Sequence, residues 1–348
     1  MKSINEVVRA PEYLFLKSNS HLGKNLMFVA FGGSYAYGYA SEYSDVRLCG
    51  CARNTVSDLL GRTRFDSYRD KQTNTVINSF NKTVDLLLGG DIAATELLHL
   101  EQKQYAMVSA QGQTFLDNGA MFLSQRVSDS YAGYIYALTQ WLDKLQSRIN
   151  LGTNASEKKL YAACEPMIQR FNKQLPKDGE SAARLYLAAS TVNGLPRELH
   201  MDMQIKDCPL RQYFEMLEPL QSLVRSYEKE AAQRKAVDAP LIAKKTVTLV
   251  RMLLTCCDLL ESGRPVICRT QDTALLTSLR NGDFVAQDCK IKDELYDLVN
   301  PLLRRLEYDR ANTQLPKEPD ETAINEFAME MNRKTIEAPI APEPAQSA

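Results

Sequence analysis

With 348 residues, of which 44% are hydrophobic and 24% charged, the chain has the make-up of a globular protein that buries one large core or two ordinary ones; fibrous and broadly disordered classes are excluded. The 42 Lys and Arg against 43 Asp and Glu leave a net charge of −1, which excludes a global basic field, so any contact with nucleic acid must come from a local basic surface.

The opening Met1-Lys2-Ser3-Ile4-Asn5-Glu6 lacks the apolar run of a secretory leader, and no stretch reaches the roughly 18 apolar residues of a spanning helix. The expectation is a cytoplasmic protein with no membrane contact. Of the eight cysteines none forms a Cys-x-x-Cys pair, and His21, His99 and His200 are the only histidines, so reduced packing thiols are expected rather than disulfides or zinc.

In chain order, the first strand is expected at Leu26–Phe31 and runs into Gly32-Gly33-Ser34, which opens a short helix. A second strand is expected at Asp45–Cys49, a short helix at Val56–Leu60, a third strand at Thr73–Asn78 and a helix at Ser79–Leu88 that stops at Gly89-Gly90. From Asp129 the pattern becomes 3.6-periodic, with Tyr131, Ile135, Leu138, Leu142, Leu145 and Ile149 on one face. Further helices are expected at about 156–174, 207–233, 240–262, 272–280, 288–311 and 320–334, with breaks at Pro176–Gly179, Gly194–Pro196 and Ser262–Pro265. The fold class is thus α+β: a small mixed-sheet domain over 1–125, a helical domain over 126–335, and a disordered tail over 336–348.

A strand ending in Gly-Gly-Ser at a helix start offers unhindered N–H groups, a hydroxyl and a positive dipole end, all suited to a phosphate. A tight strand-to-helix turn with Ser34 as N-cap explains the same residues without a ligand. Ser44-Asp45 follows one short helix later and would bring a carboxylate, and with it Mg²⁺, to the same cleft.

Gly33-Ser34-Tyr35-Ala36-Tyr37-Gly38, Ser44-Asp45-Val46-Arg47-Leu48-Cys49-Gly50, and Gly90-Asp91-Ile92 with Thr95-Glu96-Leu97-Leu98 resemble the predicted nucleotidyltransferases of the DNA polymerase beta superfamily, in particular the RNA-repair-linked, RNA-ligase-associated family. Ser130–Tyr134, Leu249–Leu254, Leu259–Gly263, Leu279–Gly282 and Leu315–Asp320 are similar to the helical half of that family, so the resemblance covers most of the chain except the tail and about 150–240, which by this resemblance looks like an insertion in the helical domain. It implies nucleotidyl transfer from a nucleoside triphosphate to a hydroxyl of RNA, DNA or protein. Gly33 and Ser34 would hold phosphate and Asp45 would hold Mg²⁺.

Two-metal transfer wants a carboxylate two residues after the first, on the same strand face, and a third from a neighbouring strand. Here the first of those positions is Arg47 and, aligning the family back from Gly90, the resemblance places Asn74 at the other, which leaves Asp45 alone and argues for an impaired or inactive member. The defect is read as a pseudoenzyme that keeps its nucleotide- or RNA-binding cleft, as an enzyme recruiting Glu42, Asp66, Asp70 or Asp91 instead, or as an engineered inactivation. An Arg47–Asp45 ion pair would satisfy both groups without metal.

On the helix from Pro240, Lys244, Thr248 and Arg251 share a face that could meet triphosphate or an RNA backbone, although a solvated basic face explains it equally. Arg62, Arg64, Phe65, Tyr68, Arg69 and Lys71 form a candidate platform for single-stranded nucleic acid. In the insertion, Tyr213, Phe214, Leu217, Leu220 and Leu223 suggest a surface for a protein partner or for structural assembly, or else a plain core stripe.

Overall fold

A computed structural model describes residues 3–174, 182–189, 197–235 and 238–337. The fold is α+β. In chain order it runs α1 (Ile4–Val7), α2 (Phe15–Ser18), β1 (Leu26–Phe31), α3 (Ser34–Tyr37), β2 (Leu48–Ala52), α4 (Val56–Leu60), β3 (Ser67–Asp70), β4 (Thr75–Ser79), α5 (Phe80–Leu88), α6 (Ile92–Leu98), β5 (Tyr105–Val108), α7 (Ala110–Asp117), α8 (Gln125–Gln174), β6 (Ala182–Ala189), β7 (Arg197–Gln204), α9 (Leu210–Lys235), α10 (Ala239–Ser262), α11 (Thr273–Asn281), α12 (Asp293–Asn312) and α13 (Glu321–Glu337).

The chain gathers into two compact units, divided elsewhere than at residue 125: the first holds 1–138, 246–281 and 293–348, the second 139–245 and 282–292. In the first, five strands form one mixed sheet in the order β3-β4-β2-β1-β5, with β2 and β4 parallel and the other pairs antiparallel. Strand β1 is buried along its whole length because both faces of the sheet are covered. On one face Phe28, Ala30 and Cys51 meet Phe80, Phe115 and Phe122; on the other Val29, Phe31 and Leu48 meet Ile4, Tyr13 and Leu16 of the N-terminal segment. Helix starts follow the local chemistry: Thr55, Ser79, Asp91 and Ser109 each accept a hydrogen bond from the backbone N–H three residues on.

The second strand begins three residues later than expected, at Leu48, so Asp45 precedes it. The stretch expected to hold two helices around residue 150 is one helix, α8, buried along Tyr131, Ile135, Leu138, Leu142 and Leu145; the side chain of Ile149 is outside the described residues. Between the helices expected at about 156–174 and 207–233 the domain read as helical contains a hairpin, β6 paired with β7. In the second unit, Leu160, Cys164, Ile168 and Phe171 pack with Ala183, Leu185, Met216 and Leu220, so Leu220 of the expected α9 stripe is core, while Phe214 is 61% exposed. The breaks expected at Pro176–Gly179 and Gly194–Pro196, and all but the first two residues of the expected tail, are outside the described residues.

Candidate functional site

Gly33 has φ 63° and ψ −145°, a conformation that in practice only glycine adopts, and a Cβ placed there would meet nothing within 4 Å. The turn therefore requires glycine for its backbone and leaves open space in front of it. Gly33, not Ser34, is the N-cap residue of α3; Ser34 is the first residue of that helix, and no side-chain cap bond forms. After one turn α3 closes at Gly38, whose φ of 84° is again a glycine position.

Beneath this turn lies a buried polar cluster. Tyr37 Oη donates to Glu96 Oε2 at 2.8 Å, Tyr131 Oη donates to Glu96 Oε1 at 3.0 Å, and Arg251 Nη1 reaches the same Oε1 at 2.6 Å. The Arg251 guanidinium also lies 3.7 Å from the centroid of the Tyr37 ring, a cation–π contact. Arg251 is 2% exposed, and its Nε has no hydrogen-bond partner among the described residues. Burial on its own would drive the proton off this guanidinium, but the Glu96 carboxylate more than offsets that and holds its pKa above the ordinary value. Desolvation likewise pushes the Tyr37 and Tyr131 phenols well up, so both remain protonated donors.

This overturns one expectation: Arg251 is not a phosphate ligand but an internal tie between α10, α6, α8 and α3. Of the basic face expected on α10, Lys244 is exposed and lies in the second unit, whereas Arg251 is buried in the first. The cluster had a signal in the sequence that composition hides: a lone Glu inside Ala93-Ala94-Thr95-Glu96-Leu97-Leu98 and a lone Arg inside Leu249-Val250-Arg251-Met252-Leu253-Leu254 are opposite charges on two apolar helices. Two such charges can be buried only as a pair.

Further bonds fix the end of α3. The Arg269 backbone N–H donates to the Tyr37 carbonyl at 3.1 Å, Arg280 Nη1 to the Tyr39 carbonyl at 2.8 Å, and the Gln104 side chain to the Ala36 carbonyl.

The carboxylate side of the expected cleft is built differently. Residues 44–47 belong to no strand, so the alternation that would have placed Asp45 and Arg47 on one face does not operate. Asp45 is exposed and lines a hollow with Glu6, Glu12, Tyr13, Lys71 and Asn74; Gly33 and Ser34 do not line it. Asn74 is exposed at the turn between β3 and β4 rather than on a strand. Its φ of 52° explains the residue type, since Asn tolerates left-handed backbone.

Arg47 turns towards the glycines instead. Its carbonyl accepts the Gly32 N–H at 2.8 Å, and its Cδ lies 3.3 Å from where a Gly32 Cβ would stand. Among the described residues Arg47 forms no ion pair, so the expected Arg47–Asp45 bridge is absent. The alternative carboxylates are occupied or elsewhere: Asp70 accepts the backbone N–H groups of Gln72 and Thr73, Asp91 caps α6, and neither Glu42 nor Asp66 lines the hollow with Asp45.

A two-metal centre needs several carboxylates converging on the phosphate. One exposed carboxylate, an exposed amide and a guanidinium at the turn do not fit such a centre, and among the described residues no group of three His, Cys, Asp or Glu side chains converges. The expected aromatic platform is also spent: Phe65 is buried beneath His21 with ring centroids 4.6 Å apart, and Tyr68 stacks on Phe15 at 5.0 Å. Arg62, Arg64, Arg69 and Lys71 remain exposed beside them.

Among the described residues, no helix is long and apolar enough to cross a membrane. Comparison of the chain with protein-family models, with curated proteins and with solved structures gives no match.

Proposed function

We propose that the Gly32–Ser34 turn binds the phosphates of a nucleoside triphosphate without metal, with Arg47 supplying the positive charge, and that the protein is a nucleotidyltransferase-like binding module rather than an active transferase. The observation that carries this reading is the course of Arg47: its stem runs along Gly32, its side chain hydrogen-bonds the Cys49 thiol but forms no ion pair with a described residue, and the neighbouring Gly33 faces open space. A guanidinium is what an oxyanion needs, and a fixed cation there takes the place of a divalent ion. The eight unpaired thiols agree with a reducing, cytoplasmic setting.

The test is titration with ATP in the presence of EDTA, followed by thermal stability. At a hundredfold over its dissociation constant the nucleotide stabilises by ~2.7 kcal/mol. Arg47→Ala weakens binding about tenfold, the size of a lost charge-assisted hydrogen bond, and Asp45→Ala leaves it unchanged. Arg47→Asp combined with Asn74→Asp gains no labelled-nucleotide transfer onto RNA, because the new carboxylates do not converge with Asp45. Binding that requires Mg²⁺, or transfer by that double variant, overturns the proposal.

A further inference from the structure

On the side of the sheet covered by the N-terminal segment, the first unit has a hollow of about 490 Å³ between the end of α1, α2, the single turn Gly23–Asn25, and strands β1 and β5. Its floor is aliphatic: Leu16, Leu26 and Val29 are buried, with Val8 and the 38%-exposed Met107 beside them. Its rim is cationic. Arg9, Lys17 and Lys24 are all exposed, none forms an ion pair with a described residue, and no Asp or Glu lines the hollow.

The opening follows from the sheet. The pairing of β1 with β5 slips between Val29 and Ala30, which leaves Ala106 of β5 as the extra residue of a bulge, and Ala106 and Met107 form one wall. A bulge bends the edge strand and opens the ladder locally, as it does beside many binding sites.

Three like charges held around one depression repel each other, and an anion relieves that repulsion. A single carboxylate leaves most of it in place. A phosphomonoester carries about −1.5 to −2 charges at neutral pH and three acceptor oxygens, enough for two or three of the cations. The aliphatic floor in turn favours an organic body over water, and the volume is within the range of small-molecule sites, roughly 300–1,000 Å³.

We propose that this hollow binds a small organic phosphate, with the phosphate on Arg9, Lys17 and Lys24 and an apolar body over Leu16, Val29 and Met107. It shares no residue with the Gly32–Ser34 turn and stands or falls separately from it. Nucleoside and alkyl phosphates share the required chemistry, and the experiment separates them.

The full chain, labelled at the methionine methyl groups, is titrated in EDTA with AMP and, in parallel, with hexyl phosphate. The Met107 methyl resonance is assigned from Met107→Leu. The Met107 signal moves and saturates with at least one of the two, and which one identifies the body. Inorganic phosphate and hexanol alone require at least about tenfold higher concentration, and Arg9→Ser with Lys24→Ser weakens binding about tenfold, as loss of charge-assisted hydrogen bonds requires. Arg47→Ala leaves this titration unchanged even though it weakens ATP binding at the turn. The proposal is overturned by a Met107 signal that neither phosphate moves, by inorganic phosphate acting as well as the organic phosphates, by unweakened binding in the double variant, or by a response confined to vesicles of phosphatidylglycerol.

Discussion

Gly33–Tyr39 and Ser41–Arg47 are neighbours in the chain and opposites in the structure. In the first, Ala36, Tyr37 and Tyr39 are each bound from outside the segment, by Gln104, by Glu96 with Arg269, and by Arg280. In the second, Tyr43 is 93% exposed, Asp45 is exposed and forms no ion pair with a described residue, and the side-chain bonds that shape the turn join Ser41 to Ser44 within the segment itself. A binding group works when its neighbours hold it to within a fraction of an ångström. The helix that leads out of the proposed phosphate turn is held in this way, and the carboxylate that would bind metal is not.

The largest test of this contrast removes the charge beneath the turn. Glu96→Ala leaves Arg251 buried and unpaired, which costs about 3–5 kcal/mol of unfolding free energy in urea titration. Replacing both partners by apolar residues, Glu96→Leu with Arg251→Met, recovers most of that loss, because no lone charge remains. Asp45→Ala, in the other segment, stays within about 0.5 kcal/mol of the parent, as surface changes do. A cost below about 1 kcal/mol for Glu96→Ala would mean that water reaches the cluster, and the contrast would fail.

A smaller effect is expected at the glycines that bracket α3. Gly38→Ala forces a side chain into left-handed backbone at φ 84° and sets its Cβ 3.2 Å from Cys268 Sγ, which together cost about 1–2 kcal/mol. Gly33→Ala meets no neighbour, so its cost is backbone strain alone, about 1–3 kcal/mol. Thermal melts separate the two causes: Cys268→Ala relieves part of the Gly38→Ala loss and none of the Gly33→Ala loss. Equal relief in both, or none in either, would remove the steric part of the account.

Much of the fold could be read from local pattern. The apolar run Leu26–Phe31, the break at Gly89-Gly90 and the stripe Tyr131–Leu145 each state their element directly, because periodicity and glycine act locally. The hairpin of the second unit could not be read that way. Ala182-Ala183-Arg184-Leu185-Tyr186-Leu187-Ala188-Ala189 is rich in helix formers, and it is a strand only because Ala183 and Leu185 pack on α8 and α9. The site was legible in half. Glycine spacing announced the turn, but the place of Asp45 depends on where β2 begins, and a shift of three residues there undid the shared face. Arg251 was visible as a charge but not as a buried one, since burial depends on Glu96, 155 positions away.

The smallest expected effect concerns pH and the helix that carries Glu96. His99 ends α6, with Nδ1 2.8 Å from the Thr95 carbonyl, so Nδ1 carries the proton and donates; Nε2 is buried with no hydrogen-bond partner among the described residues. Desolvation lowers the pKa of this imidazole below its ordinary value, and the positive charge of Arg264 lowers it further. The folded protein therefore keeps His99 neutral, while the unfolded chain takes up a proton near the usual pH of about 6.5. It follows that His99 gives its full contribution to stability above that pH and loses it progressively as pH falls towards the lowered folded value. Melting temperatures measured from pH 7.5 down to 5 should fall more steeply for the parent than for His99→Gln, which has nothing to titrate there. His21 and His200 are common to both proteins, so they cancel in the difference. Parallel curves would show that His99 is solvated in the folded protein, and that this end of α6 is as open to water as the segment around Asp45.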